Sequence, residues 1–186
     1  MAQNSRTRNK AIVEKLRCYA VSPKTLDTAG VHAAITLLAT AQDISTGIVG
    51  PDVPRVLSIT GTMAGASLTG NVVIYGYDVD GNPLKQTIAL NNNATVAGNL
   101  AFKSIYQISL PVRITAADTV KIGFTDAIGL PEIIPGDTVV MTTLDGAFEA
   151  TRPTVVHDHA LVSKCTIDPN TALATGKELC IYYIAQ

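Results

Sequence analysis

The sequence predicts an all-β protein, an antiparallel β-sandwich or β-barrel. Thr, Val and Ile number 22, 17 and 17 of the 186 residues, whereas Glu occurs only four times. β-branched side chains favour strands over helices. They fall in short runs between Gly, Pro, Asn and Asp, at the spacing of about 8 to 12 residues that is typical of antiparallel sandwiches and barrels. A chain of this length is expected to form one domain.

The distribution of charge predicts a short N-terminal arm. Residues 1–24 carry a net charge of +5 and residues 25–186 a net charge of −6. We therefore divide the chain into a basic arm, 1–24, and a single β domain, 25–186. Apolar residues at helical spacing predict one short helix over Lys10–Ala20. The residues expected to contact a partner are Arg6, Arg8, Lys10, Lys15 and Arg17.

Three strands and a hairpin turn are predicted in the first half of the domain. Val56–Thr60 alternates apolar and polar residues, and Gly70–Tyr75 begins a second strand after a small, flexible connection, 61–70. Asp80-Gly81 is a turn signal because Gly accepts positive φ at no steric cost. The strand after this turn directs one set of side chains to one face: Leu84, Gln86, Ile88 and Leu90.

Further strands follow a second turn at Asn91–Asn93. Phe102, Tyr106, Ile108 and Leu110 are predicted to share one face of a strand that Pro111 ends. The remaining strands are predicted at Thr119–Phe124, Thr138–Leu144, Thr154–His157 and Leu179–Ile184. The last of these is apolar on both faces, which predicts a central position in a sheet or a place at a subunit contact.

The low charge predicts that other protein chains cover part of the surface. Charged residues make up 16% of the chain, against about 25% in ordinary soluble domains. No apolar run approaches the about 18 residues of a membrane span, and no hydrophobic signal segment follows the first residues, so no membrane partner is expected. Three cysteines at wide spacings favour a reduced, intracellular site of synthesis over a disulfide framework.

The sequence gives no catalytic, cofactor-binding or metal-binding assignment. His157 and His159 would share one face of a strand, with Cys165 as a conceivable third ligand, but a pair without a third and fourth ligand is more typical of a polar strand end. Asp78–Asn82 resembles the start of a calcium loop, but Ala89 stands where the loop needs Glu, so a hairpin turn is favoured. Ser163 and Cys165 lack the context that activates a nucleophile.

Two binding functions are alternatives to a structural role. Nucleic-acid binding would use the basic arm, but the net charge of the chain is −1 and its aromatic residues do not alternate with its basic ones. Carbohydrate binding would use exposed tyrosines such as Tyr75, Tyr77 and Tyr182-Tyr183, although tyrosines in strands are commonly half-buried.

From Pro51 onward the order of features resembles a family of tailed-phage virion proteins, the capsid decoration (head auxiliary or cement) proteins. The segments that carry the resemblance are Pro51–Arg55, Gly70–Ile74, Asp78–Asn82, Val96–Gly98, Ala101–Ile105, Ile108–Pro111, Asp118–Gly123, Ile128–Pro131 and Ile181–Ile184.

The resemblance implies a non-enzymatic particle component that binds the assembled head and bridges capsomers. It implies the major capsid protein as partner, self-association as a small symmetric homo-oligomer such as a trimer, synthesis in the host cytoplasm and a final place on the capsid surface. No cofactor is implied. A tail tube or neck (connector) component, or a carbohydrate-binding adhesin domain, is the alternative.

Overall fold

The structure, a computed structural model, describes residues 15–65 and 67–185. Within these residues, fourteen strands and one turn of 3₁₀ helix, Val162–Lys164, build three antiparallel sheets, which confirms the predicted all-β class. The strands are β1 Lys15–Val21, β2 Asp27–Thr36, β3 Gln42–Ile44, β4 Arg55–Thr62, β5 Asn71–Tyr77, β6 Pro83–Ala89, β7 Thr95–Phe102, β8 Ser104–Leu110, β9 Thr119–Gly129, β10 Val139–Leu144, β11 Ala147–Phe148, β12 Thr154–Val156, β13 Thr166–Asp168 and β14 Leu179–Ala185.

The terminal sheet joins the two ends of the described chain in the order β1-β14-β10-β11. Strand β1 pairs along its whole length with β14, from Lys15 opposite Ala185 to Val21 opposite Leu179. The predicted helix over Lys10–Ala20 is therefore wrong from residue 15 onward, because pairing with β14 satisfies the backbone there. Strand β14 lies between β1 and β10, which confirms its predicted central position.

The central sheet has the order β12-β13-β9-β4-β7, with β2 paired to the first half of β9. Gly123 on β9 permits that pairing, because a Cβ there would lie 2.1 Å from the Asp27 carbonyl oxygen and 2.5 Å from the Thr28 Cα. Strand β4 is buried on both faces except near its end. The strand predicted at Thr119–Phe124 is confirmed, and it extends five residues further, to Gly129.

The hairpin sheet has the order β3-β8-β5-β6. The predicted hairpin is confirmed: Gly81 has φ +83° in the turn between β5 and β6. The single strand expected to hold both Phe102 and Leu110 is instead two strands, β7 and β8, in different sheets. A bulge opposite Tyr75 and Gly76 shifts the register of β8, so Tyr106 is 45% exposed although Ile108 is buried.

Two hydrophobic cores lie between the sheets. The first is enclosed by the central and hairpin sheets and includes Leu57, Ile74 and Phe124. The second lies under the terminal sheet and includes Ile128 and Ile181. Strand β9 contributes its first half to the first core and its second half to the other.

Arg55 holds β9 at the junction of these cores. Its side chain is fully buried, and its guanidinium donates from Nε to the Thr125 carbonyl (2.9 Å) and from Nη1 to the Lys24 carbonyl (2.9 Å). It also pairs with Asp52 and Asp126, at 3.3 Å each. Burial lowers the pKa of Arg55, and both carboxylates oppose that shift. The register of β9 against β4 changes at this place, so Arg55 stabilises an irregular stretch of sheet.

The connection 61–70, which was expected to be flexible, is anchored at its described residues. The Ala64 amide donates to Asp118 Oδ1 (2.9 Å), the Met63 amide to Asn93 Oδ1 (2.8 Å) and the Leu68 amide to Asn92 Oδ1 (3.0 Å). Leu68 is fully buried in the first core. This segment therefore covers one end of the first core.

Candidate interaction surfaces

The outer face of the terminal sheet is apolar and has no layer of described residues over it. Residues directly opposite each other in an antiparallel pair point to the same side of the sheet. Tyr19, Val21 and the buried residues of β14 pack on the second core, so the alternate residues point outward. We call this surface the terminal face: Leu16, Cys18 and Ala20 on β1, Val140, Met141 and Thr143 on β10, Phe148 on β11, and Cys180, Tyr182 and Ile184 on β14.

The composition of the terminal face sets it apart from an ordinary solvent-exposed sheet. None of its ten residues is charged. Leu16 is 66% exposed, Val140 56% and Phe148 71%, although these are large apolar side chains. The face is extended by a bulge in β10, where the register shift between Val139 and Met141 leaves Val140 unpaired. Solvent-exposed sheets usually alternate apolar and polar residues, so an uncharged outer face indicates a contact surface.

The predicted arm residues are in part placed by the structure. Arg6, Arg8 and Lys10 lie outside the described residues. Lys15 is exposed at the start of β1, and Arg17 forms an ion pair with Glu132 at 3.3 Å. The side chain of Arg17 lies on the side of β1 opposite the terminal face, so this cation is engaged within the chain.

Three tyrosines meet on the outer side of the hairpin sheet. The ring centroid of Tyr106 lies 6.3 Å from that of Tyr75 and 5.3 Å from that of Tyr77, with tilted planes. Lys85 Nζ lies 5.5 Å from the centroid of Tyr75. We call these four residues the tyrosine cluster. Tilted rings offer apolar contact area and hydroxyl groups for hydrogen bonds. They do not form one flat platform on which a sugar ring could stack.

The neighbouring tyrosines Tyr182 and Tyr183 lie on opposite faces of β14. Tyr183 is buried in the second core, and burial raises its pKa to about 12, with a smaller contribution from Glu132. Tyr182 lies on the terminal face. The pair therefore does not form the joint platform considered for sugar binding.

The Asp78–Asn82 segment is a closed hairpin turn. Asp78 Oδ1 accepts hydrogen bonds from the amides of Asp80 (3.0 Å) and Asn82 (2.8 Å), and Oδ2 accepts one from the Asn82 side chain (3.2 Å). The carboxylate of Asp78 is thus used in shaping the turn, as the hairpin interpretation predicted.

The His157 and His159 rings are close but do not converge on a third ligand. Their centroids are 6.4 Å apart. Asp158 between them accepts hydrogen bonds from the amides of Ala160 and Leu161, which lower its pKa. Cys165 is fully buried, with its Sγ 3.5 Å from the Asp158 carbonyl oxygen. Among residues 15–65 and 67–185, no group of three His, Cys, Asp or Glu side chains is placed to hold a metal ion.

Clefts also open among the described residues away from the terminal face. One of about 440 Å³ opens between the β5–β6 turn and the 3₁₀ turn, and its polar and apolar lining includes the charged residues Asp80, Lys85 and Lys164. Ser163 also lines it but is buried, and none of the described lining residues is His or Cys. A second cavity of about 260 Å³ lies beside β7 and includes Asp168, whose pKa is raised by burial and by nearby carboxylates.

Comparison of the chain with protein-family models, with curated proteins and with solved structures finds no match. None of the helical residues that the structure describes forms a segment long and apolar enough to cross a membrane. Function is therefore inferred from the chain's own surfaces.

Proposed function

We propose that this protein is a non-enzymatic structural component of a phage particle, a capsid decoration or cement protein that binds the assembled head. The observation that carries the proposal is the terminal face, an uncharged sheet surface with large exposed apolar side chains. A chain that folds with such a surface gains stability by covering it with protein. The resemblance described above supplies the particle and the partner.

The basic N-terminal residues supply the contact with the shell. Residues 1–24 carry a net charge of +5, and acidic patches on the major capsid protein would attract them. Each bound subunit would bridge neighbouring capsomers and add contact area, and a small symmetric homo-oligomer would multiply that effect by avidity. The subunits would be made in the host cytoplasm and end on the capsid surface.

The test is binding to purified expanded heads, and the structure shows which truncation to use. A deletion of residues 1–14 leaves β1 in place, whereas a deletion through residue 20 would remove a strand from the terminal sheet. We expect the shorter deletion to abolish shell occupancy and to leave the circular dichroism spectrum of the β domain unchanged.

A charge-matched pair of variants sharpens this experiment. Arg6→Ala with Arg8→Ala should weaken binding and reduce its salt dependence, because two arm charges are lost. Lys103→Ala with Arg113→Ala removes the same charge from exposed positions of the domain and should leave binding unchanged. Full occupancy by the truncated chain would overturn the proposed role of the arm. Rings or stacked tubes in electron micrographs would favour a tail or neck component.

The tyrosine cluster favours a carbohydrate-binding adhesin as the second candidate. Tyr77 and Tyr106 are both more than 40% exposed, and Lys85 lies over a neighbouring ring. Binding on a glycan array that is lost in Tyr106→Ala and kept in Tyr19→Phe, a change on the second core, would support this function. Arrays without signal for the full chain would exclude it.

A further inference from the structure

We infer that the terminal face binds the terminal face of a second copy of this chain, so that two terminal sheets stack into a β-sandwich across a two-fold axis. The inference deepens the proposed function, on which it rests for the biological setting, by naming the surface of self-association. It changes one expectation, since a two-fold pair is a dimer and not the trimer that the resemblance implies.

Charge favours an identical copy as the occupant. In a two-fold interface the residues near the axis meet their own copies, so a charged residue there would face a like charge, which costs energy. None of the ten residues of the terminal face is charged, so the paired strands themselves bring no like charges together. The carboxylate of Glu178, which accepts a hydrogen bond from Cys180 Sγ at 3.2 Å, lies just before β14 at the margin of the face. The net charge of the chain is −1, which gives little long-range repulsion between copies.

The geometry also fits sheet stacking. Apolar sheet faces are ordinarily covered by another sheet about 10 Å away. The four strands hold 22 residues, with seven in β1, seven in β14, six in β10 and two in β11. With a rise of about 3.4 Å per residue and strands about 4.8 Å apart, they give a flat area of about 360 Å² per copy. A pair covers about 720 Å² of flat area, and more accessible surface because side chains such as Phe148 protrude. This is the size of a weak, transient interface, below about 1,200 Å² in total.

An interface of this size predicts a dimer that dissociates on dilution. Light scattering on the full chain, from about 1 μM to about 100 μM, should show a mass rising from 19.5 kDa toward twice that value. Leu16→Lys and Phe148→Lys, at the two edges of the face, should each hold the chain at the monomer mass. Leu38→Lys and Val49→Lys, at exposed apolar residues outside the terminal sheet, should dimerise as the unmodified chain does.

The thiol of Cys18 reports on the same face. In a Cys180→Ser background, Cys18 is the exposed thiol of the described residues, because Cys165 is buried. Its rate of maleimide labelling should fall by about tenfold once about nine-tenths of the chain is paired. Phe148→Lys should restore fast labelling at high concentration.

Every other outcome overturns the inference. A monomer with fast labelling at all concentrations would show the face uncovered, and a monomer with slow labelling would show it covered by the chain itself. A trimer, or a dimer that survives both lysine substitutions, would place self-association elsewhere. Shell binding is scored separately: a dimer that never binds heads refutes the proposed function alone, and a chain that binds heads as a monomer refutes the pairing alone.

Discussion

At the scale of single residues, Arg55 is a fully buried charged group that holds parts of the fold together. Its guanidinium joins the chain before β4 to the irregular part of β9 and lies 4.3 Å from the centroid of Phe124. Arg55→Met should lower the free energy of unfolding by about 3 to 5 kcal/mol, because it leaves Asp126 and two carbonyl groups without their partner. Urea denaturation measures the loss.

The control for Arg55 is an exposed ion pair. Lys177 contacts Asp145 with both side chains about half exposed, and Lys177→Met should cost less than about 1 kcal/mol. Arg55→Lys should resemble Arg55→Met, because one ammonium cannot reach acceptors on three sides. Equal stabilities of the Arg55 and Lys177 variants would contradict the role given to Arg55.

The ionised carboxylate of Asp118 should make the stability of the folded protein depend on pH. Its buried carboxylate accepts hydrogen bonds from the amides of Ala64, Ile114 and Thr115, and these lower its pKa. The folded pKa lies below the unfolded value of about 3.9, so the contribution is complete above about pH 4 and is lost as pH falls through the folded pKa. Asp118→Asn should therefore be less stable than the unmodified chain at pH 7.

The effect of pH on the stability of Asp118→Asn tests whether the charge of this carboxylate stabilises the fold. The difference in urea midpoint between the unmodified chain and Asp118→Asn should shrink steadily below about pH 4. A difference that stays constant from pH 7 into this range would show that ionisation of Asp118 does not carry the stabilisation.

At the scale of elements, the pairing of β2 with β9 depends on the absence of a side chain at Gly123. Gly123→Ala would place a methyl group 2.1 Å from the Asp27 carbonyl oxygen. The strands must separate, at a cost of about 1 to 3 kcal/mol in the free energy of unfolding. Gly136→Ala is the matched control, because a Cβ there meets nothing within 4 Å. Similar thermal midpoints for the two variants would contradict the close approach.

The strands that the sequence predicted are those with regular alternation or clear turn residues. The strand after the Asp80-Gly81 turn was predicted from its turn and its alternation, and the strand at Leu179–Ile184 from its run of apolar residues. These are local features, and the structure has the two strands as β6 and β14. Strand β2 was missed, since its Ala-rich sequence lacks alternation and its register against β9 is irregular. The helix expected at Lys10–Ala20 was wrong from residue 15 because a distant partner, β14, decides the conformation of β1.

The sequence predicted only part of the terminal face. The two-sided apolar character of β14 predicted a central strand or a subunit contact. The face itself depends on four strands from three distant parts of the sequence and on the bulge at Val140, which alternation alone does not reveal. The tyrosine cluster was hidden in the same way, because the bulge in β8 turns Tyr106 away from the core side on which alternation had placed it.

At the scale of the whole molecule, the terminal sheet combines the features that suit assembly. Strand β1 carries the chain from the basic N-terminal residues directly into the edge of the terminal face. The tyrosine cluster and the larger cleft lie on other elements. This sheet thus carries the uncharged terminal face, and under the proposed function the basic residues that precede β1 in the sequence would add an electrostatic contact, while the first core lies beneath the other two sheets.

The division into two cores predicts two units of local stability. Ile181→Ala opens a cavity in the second core and should cost about 2 to 5 kcal/mol. Because β9 is the one strand that the two cores share among the described residues, hydrogen exchange should accelerate in β1, β10 and β14 much more than in β5 and β8. Ile74→Ala, a fully buried isoleucine of the first core, is the matched control and should produce the reverse pattern. If either variant accelerates exchange equally in all three sheets, the chain unfolds as one cooperative unit, and the second core does not give the terminal sheet a stability of its own.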